Sequence, residues 1–337
     1  MGGTIRNSRE EESVNTRVTE LLRIRLPIIQ GGLAHLAYAE LAAAVSNAGG
    51  LGQISTASFH DKEALREEIR KTKSLTSKPF GVNFPIGHSS RPIRELLETA
   101  LEEGVRIFSF TGGNPEPHLR TLDGTGAVKL VLVASVRQAQ KAEALGADAV
   151  MAVGQEGGGH IGRDDTGTMV LIPRVVDSVS IPVIAAGGIA DGRGLMAALA
   201  LGAEGIEMGT RFIATKECVR AHPKYVEAIL KGTEADTVVV KRSIGIPARA
   251  VRTPFIQRIL DAEAAGGGYE ALKDLISGER NRRFIHEGDE TEGYGWAGQG
   301  IGLIRDFVTV RELFDRMERE AAEVAEKWGK FAGGRHP

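Results

Sequence analysis

The chain has a single cysteine, Cys218, among 337 residues, and this scarcity excludes several classes of protein. One thiol can neither close an intrachain disulfide nor supply a zinc cluster, so the composition suits a reducing compartment, and we expect the cytoplasm. No apolar stretch reaches the length of about 18 residues that a membrane-spanning helix needs. The 42 Lys and Arg against 44 Asp and Glu give a net charge of -2 without a long basic run. Nucleic acid and membrane are therefore not expected partners.

Proline is also scarce, at 12 residues, whereas glycine is abundant, at 43. Average usage gives glycine about 7% of a chain, so the excess predicts many tight turns or backbone surfaces close to a ligand. No three-residue repeat accompanies the glycine, which excludes a collagen.

Short apolar runs alternate with amphipathic stretches from Pro27 onward. Eight runs are predicted as strands, and the stretches between them have apolar residues three and four positions apart, as helices do. The strands are predicted at 28–30, 51–54, 80–84, 107–110, 130–133, 149–153, 182–186 and 205–208. Eight β-α units in about 200 residues predict the α/β class, with a (β/α)8 TIM barrel. A doubly wound sheet is the weaker alternative, because no G-x-G-x-x-G turn follows the first strand.

The pattern changes after the eighth strand and divides the chain into four predicted parts. Residues 1–20 are polar and are predicted to be a disordered lead-in, and residues 21–230 to form the barrel. Residues 231–305 are predicted to be a smaller C-terminal cap or insertion segment, irregular up to residue 300. Residues 306–337 contain an amphipathic helix that we expect to pack on the barrel. Apolar residues at 255–260 and in this helix suit a homodimer interface and a solvated cap equally.

A TIM barrel carries its functional groups at the carboxyl ends of its strands, and the loop after the sixth predicted strand is distinctive. Gly157, Gly158 and Gly159 leave backbone N–H groups uncovered, and His160 follows at the tip. An imidazole there can reach a bound substrate and exchange protons near neutral pH. A merely solvated histidine on a flexible loop is the alternative.

Glycine turns also follow the seventh and eighth predicted strands. They contain Gly187 and Gly188, and Met208, Gly209 and Thr210. Loops at these positions form the usual phosphate site of the barrel, although glycines also make tight turns without a ligand.

Other residues are expected at the same mouth. Gly31 and Gly32 would let a flat ring approach the backbone, and Asn83 can hydrogen-bond to a ring carbonyl or N–H. Histidines that either line the mouth or lie on the surface are His35, His88 and His118. No group of His, Asp and Glu has metal-binding spacing.

Five motifs in order resemble the nitronate monooxygenase family, formerly called 2-nitropropane dioxygenases. The match runs from about residue 20 to residue 325. The motifs are Ile28-Ile-Gln-Gly-Gly, Gly81-Val-Asn, Glu156-Gly-Gly-Gly-His-Ile-Gly, Ala185-Ala-Gly-Gly-Ile-Ala-Asp-Gly-Arg and Met208-Gly-Thr-Arg-Phe. Members of this family are FMN-binding (β/α)8 barrels related to flavin-type enoyl-acyl-carrier-protein reductases and NAD(P)H:quinone reductases.

The resemblance implies FMN as the cofactor and a role for each matching residue. It places Gly31, Gly32 and Asn83 against the flavin ring and Gly158 and Gly159 at its edge. It assigns the phosphate to Gly187, Gly188, Met208, Gly209 and Thr210. His160 matches the histidine that lies beside the flavin and interacts with the substrate.

The resemblance leaves the substrate open. The leading hypothesis is oxidation of a small-molecule alkyl nitronate with O2, and the alternative uses NAD(P)H to reduce FMN and then a quinone or an enoyl thioester. A protein that only binds or stores FMN is the non-enzyme alternative.

Two positions depart from the family: Val153 replaces the usual Gln or Glu, and Glu207 stands where nitronate-oxidising members commonly have Gln. A reaction like that of IMP dehydrogenase is excluded because the loop after the sixth strand has no cysteine.

Overall fold

The computed structural model describes residues 14–59, 61–87 and 92–332. Within these ranges the chain forms eleven strands. They are β1 (Ile28–Gln30), β2 (Gly52–Ser55), β3 (Phe80–Pro85), β4 (Ile107–Thr111), β5 (Val128–Val133), β6 (Ala149–Val153), β7 (Gly159–His160), β8 (Val183–Ala186), β9 (Gly205–Met208), β10 (Thr237–Val240) and β11 (Ala248–Val251).

The same ranges contain fourteen α-helices and three short 3-10 segments, at Thr56–Ser58, Glu234–Asp236 and Gln299–Leu303. The helices are α1 (Arg17–Leu22), α2 (Ala39–Asn47), α3 (Lys62–Leu75), α4 (Ile93–Glu102), α5 (Glu116–Thr121), α6 (Val136–Ala144), α7 (Thr168–Val176), α8 (Gly192–Ala200), α9 (Thr210–Ile213), α10 (Pro223–Lys231), α11 (Pro254–Ala264), α12 (Gly268–Leu272), α13 (Gly278–Glu287) and α14 (Val310–Ala332).

Eight parallel strands form the barrel, in the order β1-β9-β8-β6-β5-β4-β3-β2. A parallel bridge between Ile29 and Leu51 joins β1 to β2 and brings the two ends of the sheet together. The predicted (β/α)8 barrel is therefore confirmed, and each of the eight predicted strands is present. Helices alternate with these strands because a parallel strand needs a crossover connection to reach the next one.

The amino-terminal end of the barrel is closed by α1. Val18 and Leu22 of this helix pack with the first inward-facing residues of the strands, such as Ile107 and Ala149. A capping box between Thr16 and Thr19 starts the helix. The predicted disordered lead-in is therefore wrong for residues 17–20, and its residues 1–13 lie outside the described ranges. A helix of six residues with Val18 and Leu22 as its large apolar side chains on one face is too short to show a helical period in the sequence.

The segment after α10 is more regular than we expected. Strands β10 and β11 form an antiparallel sheet with β7, and helices α11, α12 and α13 follow. Val240, Phe255, Ile259 and Tyr294 belong to a separate hydrophobic cluster in this cap. The prediction that residues 231–300 are irregular is wrong. The elements β10, β11 and α12 are too short to show a period, and the longer helices α11 and α13 lie next to a glycine run at 266–268 or within a charged stretch at 278–283.

The last helix, α14, packs against α8 and α2 on the outside of the barrel. Leu313, Phe314 and Met317 are wholly buried there. Gly192 permits this approach, since a Cβ at that position would lie 2.4 Å from the Met317 carbonyl oxygen. None of the helices in the described ranges combines the length and the apolar character that crossing a membrane requires.

Candidate active site

His160 lies in a strand and not on a free loop tip. It forms β7 with Gly159, and it faces Ala248 of β11 across an antiparallel pair. The loop before it is also fixed, because the Gln155 side chain donates to the carbonyl oxygens of Gly162 and Asp164, at 2.9 and 2.6 Å. The cap sheet therefore positions the histidine at the carboxyl end of the barrel.

A lysine that the sequence analysis missed is the direct partner of His160. The Nζ atom of Lys241 lies 2.9 Å from Nε2 of His160 and 4.9 Å from the centre of the Trp296 ring. Lys241 is 3% exposed. It follows β10, more than 80 residues from the histidine in sequence. Only the pairing of the cap sheet brings the two together, so no local sequence signal points to it.

The protein around this pair lowers the pKa values of both side chains. The His160 side chain is accessible to solvent, yet the enclosing protein, and secondarily the Lys241 ammonium, lower its pKa well below the ordinary value. Burial lowers the pKa of Lys241 to about 8, while Glu263 opposes this shift. A histidine with a lowered pKa is neutral at pH 7. The lowered pKa does not favour the predicted proton exchange of His160 near neutral pH, which stays a prediction.

A buried polar layer lies inside the barrel at the same end. The Asn83 amide accepts from the Ser55 hydroxyl at 3.2 Å and donates to Ser109 at 3.0 Å. Gly32 lies directly against it, since a Cβ at Gly32 would be 2.1 Å from the Asn83 Cγ. Two residues predicted to contact the flavin ring, Gly32 and Asn83, therefore lie together. The close approach of Asn83 explains why position 32 is a glycine.

Glu207 adds a carboxyl group to this layer. A Cβ at Gly31 would lie 3.4 Å from its Oε1 atom, so the carboxyl group borders the first glycine turn. Glu207 is 8% exposed, and among the described residues no side chain or backbone group forms a hydrogen bond or ion pair with its carboxyl group. Burial alone raises its pKa to about 7. At neutral pH the group is half protonated and can donate a hydrogen bond.

The two glycine turns after β8 and β9 present free backbone donors. Gly187 and Gly188 both have positive φ, 94° and 76°, which few other residues adopt. In the part of the chain that the structure describes, the N–H groups of Gly188, Gly209 and Thr210 have no hydrogen-bond partner. Because β8 and β9 are neighbours in the barrel, these donors lie at adjacent strand ends.

The comparisons with known proteins agree with these motifs. The profile of the nitronate monooxygenase family matches residues 15–320. The chain belongs to the nitronate monooxygenase family. Since the proteins of this family are oxidoreductases, the chain is an enzyme, and a pure storage function is not supported.

Individual relatives of this chain carry names that differ in activity. FabK from Thermotoga maritima is 43% identical, with a TM-score of 0.88 over 95% of this chain and 100% of that one. The (3aS,4S,5R,7aS)-5-hydroxy-7a-methyl-1-oxo-octahydro-1H-indene-4-carboxyl-CoA dehydrogenase of Rhodococcus jostii is 38% identical over 90% of this chain and 80% of its own length. A probable nitronate monooxygenase of Staphylococcus saprophyticus is 34% identical, over 92% and 99%. A nitroalkane oxidase of Streptomyces ansochromogenes is 29% identical, with a TM-score of 0.78 over 93% and 99%.

Several other predicted site residues of this chain contact the barrel core or the cap. The Met208 side chain is buried in the core shared with the helices, so only its backbone borders the mouth. Gly158 lies against the cap, since a Cβ there would be 2.6 Å from the Gly298 nitrogen. The Thr210 hydroxyl accepts from the N–H of Gly298 at 2.9 Å. The Glu156 carboxylate accepts from the backbone N–H and the hydroxyl of Thr168 and so caps α7.

Of the other predicted histidines, His35 and His118 lie within the described residues, and each contacts a ring other than that of His160. His35 pairs edge-to-face with His286 of the cap, and His118 stacks on Phe110. His88 lies outside the described residues. No cluster of three or more metal-ligating side chains occurs in the described ranges.

Proposed function

We propose that this enzyme binds FMN at the barrel mouth and oxidises an alkyl nitronate with O2. The observation that carries the proposal is the set of free N–H groups at Gly188, Gly209 and Thr210, at the same end of the barrel as His160. Backbone donors at loops after neighbouring strands suit a terminal phosphate monoester. A Cβ at Gly209 would approach only one atom within 4 Å, Cδ2 of Leu33, so a glycine here leaves room for a ligand.

The residues at the mouth fit the flavin in two further ways. Gly31, Gly32 and Asn83 are close enough together to border one face of a flat ring. Glu207 supplies an unpaired polar group beside them. Bound FMN would accept two electrons from the substrate and pass them to O2, which is chemistry that side chains do not supply.

The His160–Lys241 pair favours a substrate with negative charge on oxygen. Lys241 places a buried positive charge next to a neutral imidazole, and both groups are hydrogen-bond donors. A nitronate carries its charge on two oxygen atoms, so this pair can bind and orient it. Electrostatic stabilisation of this kind is strong where water is excluded.

A second candidate is the NAD(P)H-dependent reduction of a quinone or an enoyl thioester. The order of the similarities favours it: the identity is 43% with FabK and 38% with the carboxyl-CoA dehydrogenase, against 34% with the probable nitronate monooxygenase. A thioester enolate also carries negative charge on oxygen, so the same pair would suit it.

Anaerobic mixing separates the two candidates. The purified protein is first examined for bound flavin, then mixed with propyl-2-nitronate, NADH or NADPH while the flavin absorbance is followed. Bleaching by the nitronate alone supports nitronate oxidation. Bleaching by a nicotinamide, followed by reoxidation with crotonyl-CoA or menadione, supports the reductase. Protein that cannot be reconstituted with FMN, or that releases FAD on heating, contradicts both.

A further inference from the structure

Lys241 is a buried cation whose ammonium group contacts no carboxylate of the described residues, although Glu263 acts on it electrostatically. Among the described residues its Nζ forms no ion pair, and its contacts are the His160 ring and the face of Trp296. Burying an ammonium without a counter-ion is costly. Such a residue is more easily explained by a role in the site than by a contribution to stability.

The backbone at Lys241 is held in an unusual conformation. Its φ is 64°, in the left-handed region that non-glycine residues rarely adopt. The Glu263 carboxylate accepts from the N–H of Lys241 at 2.8 Å and from the N–H of Ser243 at 3.0 Å. Helix α11 thus fixes the turn from which the lysine reaches the histidine.

The hydrogen bond to His160 has a defined direction. A lysine ammonium can only donate, so Nε2 of the imidazole must accept. A neutral imidazole that accepts at Nε2 carries its proton on Nδ1. The other cations of this sheet are engaged elsewhere: Arg249 donates to the Gln155 carbonyl oxygen at 3.0 Å, and Arg242 pairs with Asp165 at 2.7 Å.

We propose that Lys241 is a positioning residue for His160, which fixes the proton of the neutral imidazole on Nδ1. The site then offers the substrate one donor of fixed identity. The consequence for catalysis rests on the proposed function, whereas the protonation state of His160 does not. An NMR measurement on flavin-free protein therefore tests the pairing even if FMN is not the cofactor.

The test follows the ring nitrogens of His160 by NMR in full-length protein with 15N-labelled histidine. The His160 signals are identified by their loss in His160→Asn. In the wild type we expect the proton on Nδ1 and no protonation of the ring down to about pH 5. In Lys241→Met the pKa of His160 should rise by roughly one unit or more, the usual effect of removing a neighbouring like charge. Both tautomers should then be populated.

Two further variants complete the design. Lys241→Arg keeps a cationic donor and should preserve the Nδ1 tautomer, and Lys231→Met, at an exposed lysine of α10, should leave the His160 signals unchanged. In the flavin-loaded enzyme, Lys241→Met should lower kcat with little change in KM and move the acidic limb of the pH profile to higher pH. A wild-type proton on Nε2, or a His160 titration identical in wild type and Lys241→Met, overturns the proposal. If Lys241→Met does not fold, the wild-type tautomer decides.

Discussion

His160 is the residue on which substrate turnover is expected to depend most directly. Its backbone is held by β11 and its ring is accessible to solvent at the barrel mouth. His160→Ala should therefore keep the fold and the bound flavin while lowering turnover about 100-fold, the scale of a positioned polar or acid–base group. Steady-state rates and anaerobic half-reaction rates measure this. Wild-type rates in both half-reactions would remove His160 from the mechanism.

Glu207 gives the fold a pH dependence with a definite sign. Burial raises the pKa of its carboxyl group to about 7, so the folded protein holds this proton more tightly than the unfolded chain does. Its contribution to stability is complete below a pH of about 4.3 and is lost as the pH rises through about 7. An amide at this position does not ionise, so it removes the loss of stability at high pH.

Glu207→Gln should accordingly raise the free energy of unfolding by at most roughly 3.5 kcal/mol at pH 8, and by only about 1 kcal/mol at pH 5. Urea unfolding of the wild type and the variant at both pH values measures the difference. Glu67→Gln, at an exposed glutamate of α3, serves as the control and should change the free energy of unfolding little. An equal effect of Glu207→Gln at both pH values would show that the carboxyl group titrates normally.

At the scale of elements, the turn between β9 and α9 is expected to bind the flavin phosphate. Gly209→Ala should leave the fold intact, because φ at this position is -110° and a Cβ would touch only the flexible end of Leu33. On the proposed placement of the phosphate at this turn, the same Cβ crowds the bound ligand. We expect FMN affinity to fall about tenfold or more, which equals about 1.4 kcal/mol. Fluorescence titration measures the affinity.

Gly329→Ala is the matched control for this substitution, since a Cβ there meets nothing within 4 Å. Its FMN affinity should equal that of the wild type. If Gly209→Ala also binds FMN as the wild type does, the phosphate site lies elsewhere.

The elements differ in how far the sequence could predict them. Barrel strands such as β6 are buried on both faces, so they appear as continuous apolar runs at regular intervals. The cap sheet gave no such signal, because β7 has two residues and pairs with β11, almost 90 residues later. For this reason the sequence predicts His160 at the tip of a loop and does not predict Lys241. The glycine turns could be predicted because each comes directly after a predicted barrel strand.

At the scale of the whole molecule, the site depends on contacts from both ends of the chain. Helix α1 closes one end of the barrel, and α14 packs on α2 and α8. Phe314 of α14 fills the space above Gly50, where a Cβ would lie 2.9 Å from its ring, and it packs on Phe212 of α9, with ring centres 6.2 Å apart. Because α9 begins at Thr210, this contact links the last helix to the glycine turn of the proposed phosphate site.

Phe314→Ala should therefore cost about 3–5 kcal/mol of folding free energy, the usual loss for a fully buried phenylalanine. Excess FMN should restore part of this, about 2.7 kcal/mol at a hundred times its dissociation constant, because a ligand of the folded state alone stabilises it by mass action. Urea unfolding with and without FMN, followed by both helical signal and flavin fluorescence, measures both quantities. Leu303→Ala, at a side chain that is 50% exposed, should change stability little. A loss below about 1 kcal/mol for Phe314→Ala, or separate transitions for the two signals, would mean that α14 unfolds independently of the barrel and does not support the glycine turn.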